Sequence, residues 1–118
     1  ARLGDRADLV QGDSEHLPFP DRSFDVVYCC DSFHHYPDPR AALAEIRRVL
    51  QPGGGLLLGD TTAPAGLRRA INLLLPLSRG GDVRLYGPSE LTALLEEFFH
   101  GAVCRRIHST SLLAWGIK

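Results

Sequence analysis

Apolar positions along the chain form two kinds of pattern, helical spacing in two segments and short unbroken runs in several others. Ala42, Leu43, Ile46, Val49 and Leu50 recur at helical spacing, which predicts an amphipathic helix. Asp38 can cap it and Pro39 can open it, because the first helical N–H has no partner to lose. Arg47 and Arg48 suit its C-terminal dipole, and Gln51-Pro52-Gly53 ends it. A second helix is expected with Ser89 as cap, Glu90 in its first turn, and Leu91, Leu94, Leu95 and Phe98 on one face. Its end should fall near His100-Gly101. Leu67 to Ser78 is apolar nearly all round, which fits either a lid over a site or a buried core helix.

Phe24 to Cys30 and Leu56 to Leu58 are apolar without alternation, as strands covered on both faces are. Ala7 to Val10 is a weaker strand candidate. Val103 to His108 and Leu112 to Ile117 are joined only through Ser109-Thr110-Ser111, and so short a link forces an antiparallel pair. Strands alternating with helices predict one α/β domain around a mostly parallel sheet that closes on an antiparallel strand.

Composition narrows the function. The 118 residues are 44% hydrophobic and 23% charged, with net charge -1, so nothing marks a nucleic-acid or anionic-membrane surface. The apolar stretch from Ile71 to Leu77 is too short to span a bilayer and contains Pro76. Cys29, Cys30 and Cys104 are an odd set without recurrent spacing, and neighbours on a strand point to opposite faces. They read as small buried residues of a reducing compartment, and a cytoplasmic protein is expected. The chain starts at Ala1 and contains no methionine, so its natural N-terminus is expected elsewhere.

In open parallel sheets, ligands bind beyond the carboxyl ends of the strands. Just past the strands here stand Gly12-Asp13-Ser14-Glu15, then Asp31-Ser32-Phe33-His34-His35, then Gly59-Asp60-Thr61-Thr62. Carboxylates gathered on one rim suit a ligand with hydroxyls, an exocyclic amine or a positive charge, and do not suit phosphate. Gly53-Gly54-Gly55 precedes a strand, whereas phosphate loops follow one, so these glycines read as a tight reversal from helix into strand. Cys29, Cys30, Asp31, His34, His35 and Asp38 are crowded but lack metal-ligand spacing, and no metal is expected. No G-x-S-x-G elbow is present for a serine hydrolase.

The run from Gly12 through Leu17-Pro18-Phe19-Pro20 to Phe24-Asp25-Val26-Val27 resembles the stretch after the third strand of class I S-adenosylmethionine-dependent methyltransferases. Ser32 to Pro39, Arg48-Val49-Leu50-Gln51-Pro52-Gly53-Gly54 and Val83 to Leu91 resemble that family's later segments, in the same order. The ubiquinone and menaquinone C-methyltransferases are similar. The resemblance implies a Rossmann-like sheet whose last strand inserts between two parallel ones. It also implies S-adenosyl-L-methionine as cofactor and a small-molecule methyl acceptor. Asp13 would accept from the adenine amino group, and the Ser14 N–H would meet a ring nitrogen. Leu17 and Phe19 would wall the adenine, and Cys30 and Asp31 would line the methionine moiety. Asp13 could instead simply cap a turn, and Asp31 could cap the next segment. Asp60 and Thr61 would shape the acceptor side. His35 could take a proton from the acceptor, although methyl transfer rests mainly on positioning.

The family's glycine-rich loop and its ribose-binding acid have no counterpart, so residues 1–118 read as a partial domain running from about the third strand to the C-terminal strand. The strand at Phe24 to Cys30 would then carry an exposed edge open to another chain, including a second copy. A micromolar affinity is about -8 kcal/mol, and each lost charge-assisted hydrogen bond removes about 1.5–3 kcal/mol. These residues alone are therefore expected to bind the cofactor near millimolar or weaker. A non-catalytic methyltransferase-like partner and another Rossmann-like enzyme, such as a nicotinamide dehydrogenase, are the alternatives.

Overall fold

The computed structural model describes residues 7–30, 33, 36–63, 65–74 and 85–118. Its elements are β1 (Phe24–Cys30), α1 (Pro39–Val49), β2 (Leu50–Thr61), α2 (Ala65–Leu74), α3 (Pro88–Glu96), β3 (His100–His108) and β4 (Ser111–Ile117). The four strands form one sheet in the order β1-β2-β4-β3. β1 runs parallel to β2, and β4 runs antiparallel to both β2 and β3. Three strands thus share a direction and the last inserts between two of them, the α/β arrangement the sequence led us to expect.

Local chemistry accounts for the boundaries of α1. The Asp38 carboxylate accepts from the Ala41 N–H at 3.0 Å, and Pro39 occupies the opening position. At the other end Leu50 turns extended. The orphan carbonyls of Arg48 and Val49 accept from the N–H groups of Arg22 (2.9 Å) and Ser23 (2.8 Å), so the chain entering β1 caps the helix.

β2 is longer than the Leu56 to Leu58 run. Phe24 pairs with Leu50 but Val26 pairs with Gly55, so the step from 24 to 26 on β1 spans 50 to 55 on β2. The glycines therefore form a bulge within the ladder rather than a separate reversal. Gly53 carries φ 84°, and a Cβ on Gly54 would lie 2.7 Å from the Asp25 carbonyl oxygen. The Gly53 N–H donates to Lys118 O and the Lys118 N–H donates to Gly54 O, which fastens the chain's end there.

Four expectations need correction. Ala7 to Val10 forms no strand; no neighbour pairs with it among the described residues, and Leu9 is 70% exposed. The cap of α3 is Gly87 rather than Ser89, because Pro88, with its fixed φ and missing N–H, takes the first helical position. Glu90 Oε1 accepts from the Gly87 N–H at 3.4 Å. That helix stops at Glu96, and His100 already belongs to β3. Finally, the described part of the Leu67 to Ser78 segment is no buried helix: Leu67, Leu73 and Leu74 of α2 are exposed. Residues 75–78 lie outside the described residues, and so does the lid reading of that part.

The core lies on one face of the sheet. Leu43 and Ile46 of α1 and Leu91, Leu94 and Leu95 of α3 pack with Cys29, Leu56, Leu58, Leu112 and Ala114. Arg40 of α1 forms a bidentate pair with Glu97, both contacts at 2.9 Å, joining the two helices. The pairing register puts Tyr28, Leu57 and Trp115 on the opposite face, where Tyr28 stays largely exposed. No described helix is long and apolar enough to cross a membrane.

Candidate functional site

The carboxyl end of β1 and the turn before it define the site. Asp13 and His16 close this turn: the His16 N–H donates to the Asp13 carbonyl at 2.9 Å, and Asp13 Oδ1 accepts from the Glu15 N–H at 2.9 Å. Asp13 therefore does cap a turn, as its alternative reading held. Only one carboxylate oxygen is committed to that bond, and the other stands 4.0 Å from His16 Nδ1 at an exposed position. A single carboxylate can serve both the turn and a ligand.

Beside the turn, a cleft of about 380 Å³ runs along β1 and is lined by Ser14, Leu17, Val27, Tyr28, Cys29, Cys30, Tyr36 and Ile46. Three of the candidate cofactor residues, Ser14, Leu17 and Cys30, thus share one space. Phe19 lies in an adjoining apolar recess of about 240 Å³ with Leu17, Phe24, Val26, Val27 and Val49. Its ring meets Phe24 edge-on at 5.0 Å. Asp13 adjoins the cleft through Ser14 without lining it. Asp31 and the candidate base His35 lie outside the described residues.

The cysteines divide as strand geometry requires. Cys29 is buried with its Sγ 3.4 Å from the Tyr36 hydroxyl, while Cys30 is exposed. Burial also pushes the half-buried Cys104 thiol up to about 11. Past the other strand ends, Asp60 is buried and its Oδ1 accepts from the Thr61 N–H at 2.9 Å. The Thr62 hydroxyl donates to the Tyr86 carbonyl at 2.5 Å. Phe33 packs against both Tyr36 and Tyr86, each at 5.4 Å, and so ties the end of β1 to the start of α3. No group of three potential metal ligands stands together among the described residues.

Sequence reasoning missed the cleft-lining Val27, Tyr28, Cys29, Tyr36 and Ile46. Tyr36 was within reach, since an aromatic just past a strand's carboxyl end faces the ligand side. Tyr28 was not, because inside an apolar run it reads as core.

The parallel pair with an inserted antiparallel strand, carrying its cleft at a carboxyl edge, is the fold of Rossmann-like methyltransferases. Residues 1–58 match the family model described as a methyltransferase domain. The chain is 40% identical over 83 residues to the 27-O-demethylrifamycin SV methyltransferase of Amycolatopsis mediterranei, covering 68% of this chain and 30% of that protein. It is 42% identical over 86 residues to the uncharacterized methyltransferase YcgJ of Bacillus subtilis, covering 71% and 34%. The crystal structure of the Bacillus subtilis YcgJ protein superposes with TM-score 0.75 at 25% identity, over 92% of this chain and 70% of that one. The family model, these relatives and this fold together support a class I S-adenosylmethionine-dependent methyltransferase. Its matched region spans less than half the length of these curated relatives.

Proposed function

We propose that the protein transfers a methyl group from S-adenosyl-L-methionine to a small-molecule acceptor, with the adenosine seated at the carboxyl edge of β1. The observation that carries this reading is the convergence of Ser14, Leu17 and Cys30 on one cleft beside the Asp13 turn. The fit to an adenine is chemical. The cleft offers apolar walls in Leu17, Val27 and Ile46, and the turn beside it carries the exposed Asp13 carboxylate. A flat, weakly polar ring with an amino group at its edge needs that combination.

In this reading Asp13 accepts from the adenine amine while Oδ1 holds the turn, and the Ser14 N–H donates to a ring nitrogen. Leu17 and Phe19 exclude water from the ring, and Cys30 and Asp31 face the methionine end. When bound, the cofactor supplies an electrophilic sulfonium methyl group. The residues past β2 and before α3 position the acceptor's nucleophilic atom in line with it, and positioning is the main catalytic contribution. His35 serves as proton acceptor where the acceptor must lose one. Residues 1–118 are proposed as the later part of the domain, with the remaining cofactor contacts on a preceding segment. Among the described residues β1 is the end strand of the sheet, and that side is the surface at which the preceding segment, or a second copy, would add. The three cysteines, none of them in a disulfide, support a reducing compartment such as the cytoplasm.

The test is ligand protection of Cys30 in the full-length protein. Alkylation should label Cys30 quickly and Cys104 slowly, since burial holds the Cys104 thiol up at about 11. S-adenosylhomocysteine at about ten times its Kd should slow Cys30 labelling by about tenfold and leave Cys104 unchanged. Undiminished labelling of Cys30 under saturating ligand would remove the cleft from consideration.

A further inference from the structure

Between the Asp13 turn and β1 the chain runs through Leu17-Pro18-Phe19-Pro20-Asp21, a segment that cannot hold itself. Both prolines lack an N–H, and each disfavours helical backbone at the preceding residue, so the Leu17 and Phe19 carbonyls need partners from elsewhere. Arg48 supplies them. Its Nη2 donates to Leu17 O at 3.0 Å and its Nη1 to Phe19 O at 2.8 Å, the two carbonyls being two residues apart across the bend at residues 18 and 19. Nη1 also donates to Asp21 Oδ1 at 2.8 Å. The remaining contacts go to Glu45, from Nε to Oε2 at 2.6 Å and from Nη2 to Oε1 at 3.1 Å. Glu45 Oε1 in turn accepts the Leu17 N–H at 2.9 Å. These five bonds match the five N–H donors of a guanidinium. Glu45 and Arg48 are three residues apart, on one side of α1.

We propose that the Glu45–Arg48 pair is the positioning device of the cofactor site. It clamps residues 17–21 to α1 so that Leu17, Phe19 and the preceding Asp13 turn are set before the ligand arrives. The inference rests on the reading of the cleft as the adenosine site. Arg48 does not itself line the cleft; it acts through the segment it holds. A lysine at this position keeps the charge but cannot reach two carbonyls and two carboxylates in one plane.

The experiment compares the full-length protein with its Arg48→Lys and Asp21→Asn variants. It measures S-adenosylmethionine affinity by calorimetry, kcat at saturating cofactor, and hydrogen exchange of the peptide covering residues 17–22. Arg48→Lys is expected to raise Kd by about tenfold or more while kcat at saturation stays within about threefold. Asp21→Asn, which weakens one contact, is expected to raise Kd by about two- to threefold. Exchange at residues 17–22 should quicken in both variants, more in Arg48→Lys. Arg48→Lys binding within about twofold of the parent, or unchanged exchange at residues 17–22, would overturn the clamp. A parent protein that binds no S-adenosylmethionine would overturn the reading of the cleft instead.

Discussion

Tyr28 and Cys29 are neighbours in β1, yet Cys29 is 7% exposed and Tyr28 65%. The difference belongs to the two faces of the sheet. On the Cys29 side, α1 and α3 lay down Leu43, Ile46, Leu91 and Leu95, and the strand residues Leu56, Leu58, Leu112 and Ala114 are sealed. On the Tyr28 side the strands carry Val26, Leu57, Leu113 and Trp115, residues equally able to be buried, and no described helix covers them as fully. Apolar character therefore decides what a strand can bury, while the supply of helices decides what it does bury.

The largest expected effect tests that comparison. In residues 1–118, Leu58→Ala on the sealed face should cost about 2–5 kcal/mol in chemical denaturation. Val26→Thr on the open face should change stability by about 0.5 kcal/mol or less. Comparable losses at the two positions would break the distinction.

A smaller effect comes from the ion pairs that flank the sealed side. A hydrogen bond from Arg48 holds the Glu45 carboxyl below its ordinary 4.5, and one from Arg40 does the same for Glu97. A carboxylate lowered in the folded state stabilises that state above its unfolded pKa, and the contribution disappears as pH falls through the lowered value. Stability should therefore start to fall below 4.5. Glu45→Gln and Glu97→Gln should each flatten the denaturation profile measured from about pH 7 to about pH 3. A variant profile parallel to the parent's would show that its pair contributes nothing to folding.

What the sequence made legible was local. Asp38, Pro39 and the spacing from Ala42 to Leu50 mark α1 because cap, first turn and stripe are all written within a dozen positions. The closing hairpin was legible because its link is so short. What depended on distant partners was not. Ala7 to Val10 resembles a strand, but a strand exists only with a neighbour to pair with. The start of β2 was hidden because Pro52 and three glycines argue against a strand, while the ladder there is completed by Lys118 at the far end of the chain. In the site, strand-end logic pointed to Ser14 and the family resemblance added Leu17 and Cys30, and the three line one cleft. The Arg48 contacts bridge 27 to 31 positions to reach Asp21, Phe19 and Leu17, and from sequence Arg48 was read only as a partner of the helix dipole.

The cofactor reading meets its most direct trial at Asp13. Asparagine there keeps an oxygen for the Glu15 N–H, so the turn survives, while the carboxylate that would accept from the adenine amine is lost. Calorimetry on the full-length protein should show S-adenosylmethionine bound about tenfold or more weakly by Asp13→Asn than by the parent, the loss of one charge-assisted hydrogen bond. Equal affinity in the two proteins would contradict the assignment of this rim to adenosine.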